Sequence, residues 1–169
     1  MIDYNRIQPQ LLVGTSPESQ QEVEALRRDE GVTAVMNLQT DGDLRTVRFF
    51  AEPLEKLYAG SSVEIRRVPV RDFDELHLQE RLPACVAALH QLLEKGHTVY
   101  LHCTAGVNRS PTVAVAYLHW CLGWELESAV EHVESCRPCS PKVQAIRQAS
   151  WKPPQPQQEA RQSSALDAP

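Results

Sequence analysis

Apolar residues in this chain fall into two rhythms, short unbroken runs and stripes spaced three or four apart, and the two alternate along its length. The runs are Leu11-Leu12-Val13, closed by Gly14; Val32-Thr33-Ala34-Val35-Met36-Asn37-Leu38; Val63-Glu64-Ile65-Arg66-Arg67-Val68-Pro69-Val70; and Thr98-Val99-Tyr100-Leu101-His102, which follows Gly96. Runs of this length between turn residues predict strands. Pro69 marks the third as a strand end or edge, because proline brings no N–H to a ladder. The stripes predict helices. Ser16-Pro17-Glu18 opens the first, with Ser16 as cap and Pro17 in the first turn; Val23 and Leu26 give it an apolar side, and Gly31 ends it. Phe49 to Leu57 predicts a second with Leu54 and Leu57 inward, although Pro53 suits a first turn better than an interior. Arg71 to Glu75 reads as a polar loop. Leu82, Val86, Leu89 and Leu93 predict a third helix, closed by Lys95-Gly96. Ser110-Pro111 is another start signal, and Val113 to Leu122 is apolar all round, so that helix is expected to be buried. Glu125 to Cys136 and Pro141 to Ala149 predict two more.

Strands alternating with helices predict an α/β domain with a central, mostly parallel sheet flanked by helices. From Lys152 the composition turns to Pro, Gln, Ser and Ala, which predicts a folded domain over 1–151 and a disordered tail over 152–169. With 169 residues, 42% hydrophobic and 23% charged, the rest reads as one soluble domain. The formal net charge is −5 and no basic patch stands out, which argues against nucleic acid as a partner. No run approaches the roughly 20 apolar residues of a membrane span. Met1-Ile2-Asp3-Tyr4-Asn5 has no basic region ahead of an apolar core, so the expected location is the cytoplasm. The five cysteines, Cys85, Cys103, Cys121, Cys136 and Cys139, are odd in number and fit reduced thiols. Nothing in the pattern speaks to oligomeric state.

The last strand runs straight into Cys103-Thr104-Ala105-Gly106-Val107-Asn108-Arg109, and that loop into the buried helix. A helix N-terminus presents unpaired N–H groups and the positive end of its dipole. Gly106 lets the loop curl so that its amides converge, forming a nest suited to phosphate, and Arg109 adds a planar fork for two oxygens. An acidic chain needs such a local positive field to hold a dianion. Thr104, Ala105, Gly106, Val107, Asn108 and Arg109 are therefore the expected phosphate-binding residues. Cys103 sits at the floor of the cradle. Surroundings of this kind lower a free thiol from about 8.5 to roughly 3.5–7.5, which makes it a nucleophile at neutral pH. Attack on a bound phosphoryl group gives a phosphocysteine. The leaving oxygen needs a proton, for which Asp72 is the first choice and Asp74 the second; the same carboxylate then activates water. Ser110 is placed to donate a hydrogen bond to the departing sulfur. The cradle supplies the positive charge, so no metal or other cofactor is expected.

His102-Cys103-Thr104-Ala105-Gly106-Val107-Asn108-Arg109-Ser110 resembles the His-Cys-x5-Arg-Ser/Thr loop of protein tyrosine and dual-specificity phosphatases. Tyr4-Asn5, Val13-Gly14, Asn37-Leu38-Gln39, Arg71-Asp72-Phe73-Asp74, Ala116-Tyr117-Leu118, Arg137-Pro138-Cys139 and Ala145-Ile146-Arg147 resemble the glucan-phosphatase branch, the laforin-like and plant starch-phosphatase relatives. The resemblance spans roughly residues 4–151 and is nearest to bacterial or cyanobacterial members. It implies a tyrosine-phosphatase-like fold, Cys103 as nucleophile, Arg109 as clamp, Asp72 as general acid and Phe73 as an aromatic platform for substrate. Two departures stand against it. Asn108 replaces the Gly usual before the motif arginine, and Thr46 and Val47 stand where plant members grip sugar with aromatics. A phosphorylated glucan is the first expected substrate and a phosphoprotein the second. A phosphate-binding scaffold ranks below both, since that reading needs a broken nucleophile, clamp or acid.

Plainer readings apply elsewhere. His102 is expected to brace the loop through the backbone rather than act as a base. Cys136-Arg137-Pro138-Cys139 with His132 reads as a turn between helices rather than a metal site, and Trp120, Trp124 and Trp151 as packing residues. Arg66-Arg67 reads either as an anion-steering pair or as a solvated strand face.

Overall fold

A computed structural model describes residues 1–47 and 52–153. Strands β1 (Tyr4–Gln8), β2 (Leu11–Gly14), β3 (Ala34–Asn37), β4 (Glu64–Arg67) and β5 (Val99–His102) form one sheet in the order β1-β2-β5-β3-β4. Only β1 runs antiparallel, paired to β2; β2, β5, β3 and β4 are parallel. The helices are α1 (Gln20–Glu30), α2 (Asp41–Val47), α3 (Leu54–Leu57), α4 (Glu75–Glu94), α5 (Arg109–Trp120), α6 (Leu126–Cys136) and α7 (Val143–Gln148). This is the α/β arrangement, a mostly parallel sheet flanked by helices, expected from the sequence.

The apolar runs are unbroken because the inner strands are covered on both sides. Successive residues alternate between two cores, as the pleat requires. Leu11, Val13, Ala34, Met36, Val99 and Leu101 pack with α4, α5, α6 and α7. Leu12, Val35 and Tyr100 face the other way and pack with Leu26 of α1 and with Val32. In the register Gly14, Asn37 and His102 stand side by side, so the carboxyl ends of three parallel strands form one edge. Open α/β sheets place their ligands at such an edge.

Several boundaries differ from the sequence reading. The cap of α1 is Ser19, whose Oγ accepts the Glu22 amide at 3.3 Å, so Ser16 and Pro17 precede the helix. Helix α4 begins at Glu75, well before Leu82, and carries Pro83 inside it. Strand β1 and helix α2 had not been expected. Of the helix expected over Phe49 to Leu57, residues 49–51 lie outside the described residues, and α3 is the part that is described; Leu57 is buried and Leu54 half-buried. The expected tail also lies outside them, except Lys152 and Pro153.

Candidate active site

Strand β5 delivers His102 and Cys103 to the edge, and α5 begins at Arg109 with Asn108 as its cap. Ser110 is therefore not the cap but the second residue of the helix, with Pro111 third. Its Oγ lies 3.3 Å from Cys103 Sγ. Asn108 has φ −115°, so it needs no left-handed tolerance; the left-handed residue of the loop is Gly106, at φ 66°.

Every carbonyl from Cys103 to Asn108 is fastened on the outside of the loop. Cys103 O meets His102 Nδ1 at 2.9 Å, and Thr104 O accepts the Ser16 amide at 3.0 Å. Arg137 donates to Ala105 O at 3.4 Å and Gly106 O at 2.8 Å. Val107 O accepts the Ser140 amide at 2.8 Å, and Asn108 O accepts the Thr112 amide at 3.0 Å and its hydroxyl at 2.7 Å. A trans peptide points its N–H opposite to its C=O. Carbonyls engaged in this way leave the following amides on the other side of the loop, free to receive an anion. Packing allows no side chain at Gly106: a Cβ there would sit 2.6 Å from the Gly14 carbonyl carbon and oxygen.

Arg137 is 2% exposed and also bonds Asn5 Oδ1 at 3.0 Å and Asp3 Oδ2 at 3.1 Å, tying β1 and the N-terminus to the back of the loop. His102 is buried, and desolvation pushes its imidazole down to about 4; the bond to Cys103 O opposes this and the nearby Arg109 charge adds to it. A neutral ring with Nδ1–H donating to Cys103 O fits those surroundings.

Arg109 is buried and held on two edges. Nη1 donates to Asp43 Oδ2 and to Val70 O, both at 2.9 Å. Nη2 donates to Asp72 Oδ2 at 2.9 Å, to Thr104 Oγ1 at 3.3 Å and to Asp43 Oδ1 at 3.5 Å. Nε has no partner among the described residues. Burial pushes Asp43 up, but the Arg109 guanidinium and the Thr40 amide and hydroxyl outweigh it, so its carboxyl lies below the ordinary aspartate range. Asp72 and Asp74 are separated by task. Asp74 caps α4, accepting the His77 amide at 2.8 Å, and pairs with Arg71 at 3.1 Å, whereas Asp72 faces Arg109. Between them Phe73 is 95% exposed at φ 56°, its amide donating to Asp72 Oδ1 at 3.1 Å. A bulky side chain at positive φ is strained, and such strain gathers at working sites. A cavity of about 160 Å³ opens there, lined among others by Asp72, Phe73, Asn108, Arg109 and Lys142.

Over residues 14–150 the chain matches the family model described as dual specificity phosphatase, catalytic domain. The chain belongs to that family. It is 37% identical over 154 residues to the phosphoglucan phosphatase DSP4, amyloplastic, of Castanea sativa, covering 88% of this chain and 40% of that protein. It is 36% identical over 145 residues to laforin of Mus musculus, covering 80% and 44%. The chain thus spans less than half the length of these curated relatives. Among solved structures, this dual-specificity phosphatase domain resembles PTPMT1, with TM-score 0.69 and 26% identity over 86% of this chain and 90% of that one. It also resembles the active form of Tk-PTP, with TM-score 0.66 and 24% identity over 85% and 90%.

The sequence reading had singled out the loop, Asp72, Asp74 and Phe73, and the structure gathers all of them at one edge. It missed Asp43, although Thr40-Asp41-Gly42-Asp43 has the spacing of a capping box. Arg137 had entered only through resemblance, because a buried arginine has no local signature. Arg66 and Arg67 have nearby partners: Arg66 meets Glu64 at 3.3 Å, and Arg67 donates to Gln39 O at 3.0 Å and Asp41 at 2.6 Å.

Proposed function

We propose that this domain hydrolyses phosphate monoesters through a phosphocysteine and that its substrate is a phosphorylated glucan. The observation that supports this chemistry is the fastening of every loop carbonyl from Cys103 to Asn108, which leaves the loop amides free to bind a phosphoryl group above Cys103, with Arg109 held at the end of the same loop. Sulfur attacks phosphorus and the bond to the leaving oxygen breaks. Asp72 gives that oxygen its proton, and the amides and guanidinium hold the equatorial oxygens. Ser110 Oγ, 3.3 Å away, donates to the sulfur when it departs. In the second step Asp72 takes a proton from water, which attacks phosphorus and releases phosphate and the thiolate. Asp72 shares Arg109 Nη2 in the free protein, and a phosphoryl oxygen taking that donor frees the carboxyl to face the leaving group.

The glucan reading is supported by the names of the curated relatives and by Phe73, an exposed aromatic beside Arg109 on which a sugar ring can stack. A dual-specificity protein phosphatase is the second reading, favoured by Thr46, which brings no aromatic to the site. Phosphate release from phosphoglucan and from phosphopeptides by one preparation separates the two. Phe73→Ala should lower glucan release while leaving turnover of a small aryl phosphate within about twofold, since only an extended substrate reaches the platform. Equal glucan release by parent and variant would remove the platform, and release from phosphopeptides alone would remove the glucan reading.

A further inference from the structure

Asp43 has no task in the chemistry above. As a helix cap it is complete without Arg109: its Oδ2 accepts the Thr40 amide at 2.7 Å and hydroxyl at 2.8 Å, and its own amide donates to Thr40 Oγ1 at 3.2 Å. That box is itself anchored, because Arg67 of β4 grips Gln39 O and Asp41 on either side of Thr40. Yet the carboxylate is turned onto Arg109, with its side chain only 14% exposed. A negative charge there opposes binding of a phosphate dianion, so the contact calls for a compensating use.

The use lies in the guanidinium's geometry. Asp43 spans the end of the fork, Oδ2 on Nη1 at 2.9 Å and Oδ1 on Nη2 at 3.5 Å, and Val70 O also takes Nη1, which leaves Nε without a partner among the described residues and the outer side of Nη2 shared by Asp72 and Thr104. Asp72 sits on that side from a short exposed turn, so an incoming oxygen can replace it. Asp43 sits across the end of the fork, touching both Nη1 and Nη2, and is locked by Thr40. We propose that Asp43 is a positioning residue that fixes the plane of the Arg109 guanidinium, so that Nε and Nη2 meet the phosphoryl oxygens as charge develops. This rests on the reading of Arg109 as the phosphate clamp.

The test is a double-mutant cycle on the full chain. Asp43→Asn keeps size and capping ability and removes the charge. It should lower kcat/KM for p-nitrophenyl phosphate about 10²-fold, chiefly in kcat, as misorientation of a catalytic group does. In an Arg109→Lys background, where no planar fork remains to be oriented, the same change should cost about threefold or less. Inorganic phosphate should bind Cys103→Ser/Asp43→Asn at least as tightly as Cys103→Ser in calorimetry, because a repelling charge is gone. Equal losses in both Arg109 backgrounds, or phosphate binding lost in step with kcat, would reduce Asp43 to a helix cap. If Asp43→Asn fails to fold, Asp43→Ser, which retains an oxygen acceptor, is read by the same criteria. A parent chain that turns over no aryl phosphate would defeat the proposed function instead, and the phosphate calorimetry would still judge Asp43.

Discussion

Three side chains of the site show how burial and partnership set behaviour at the scale of single residues. His102 titrates at about 4 in the fold against 6.5 when free, because its ring is desolvated. Between those values the unfolded chain binds a proton that the folded one refuses, so stability is full above pH 6.5 and falls as pH drops toward 4. The loss approaches about 3 kcal/mol. Urea unfolding from pH 7 to 4 should show this slope in the parent and a flatter one in His102→Asn; parallel curves would mean that another group carries it. Asp72 and Asp74 differ by partner, the first on Arg109 and the second on the His77 amide of α4. Asp72→Asn should lower kcat for phenyl phosphate by about 10²–10⁴-fold, with a smaller loss for p-nitrophenyl phosphate, whose leaving group departs without a proton. Asp74→Asn should leave both rates near parental, since asparagine caps as well as aspartate. The reverse pattern would exchange the two roles.

Elements explain why the sequence told some parts plainly and others not at all. Strands β3 and β5 were legible because both of their faces are buried, so they read as solid apolar runs. Strand β1 was not: of Tyr4 to Gln8 only Ile7 is buried, and the strand exists because β2 offers it a ladder. Helix α2 is written Asp41-Gly42-Asp43-Leu44-Arg45-Thr46-Val47, with too little apolar periodicity to announce itself, and Thr40 and Arg67 hold its start. Pro83 hid the first two turns of α4, since proline usually marks a beginning. The loop was legible because Cys103, Gly106, Arg109 and Ser110 are adjacent in the chain. Asp43 and Arg137 join them only through folding. Arg137→Gln tests that distant contribution: it strips the loop of donors to Ala105 and Gly106. Turnover of aryl phosphate should fall at least about 10-fold, and the unfolding free energy by about 2–3 kcal/mol, as for a broken buried network. Parental kinetics in a folded Arg137→Gln would show that the loop holds its shape without it.

For the molecule as a whole, the sheet edge holds the candidate site, while the far end of α5 closes the helical layer. Trp120, the last residue of α5, stacks on Trp151 with ring centroids 5.0 Å apart and planes 11° from parallel. This pins the chain after α7 to the helix whose other end holds Arg109, about 16 Å away along the axis. Trp151→Ala should therefore lower the unfolding free energy by about 2 kcal/mol, the expectation for a half-buried stacked indole, with kcat unchanged. A drop in kcat at full occupancy of the folded state would mean that the two ends of α5 are coupled.

Grafting offers another way to see what surrounds Cys103. The backbone of the heptapeptide is moored by Ser16, Arg137, Ser140 and Thr112, drawn from separate regions of the chain. An engineer who transplants those seven residues into a foreign strand–helix junction carries the motif but none of its moorings. Its peptide groups would be free to turn over, and the recipient would bind phosphate poorly until those outer contacts were rebuilt around it.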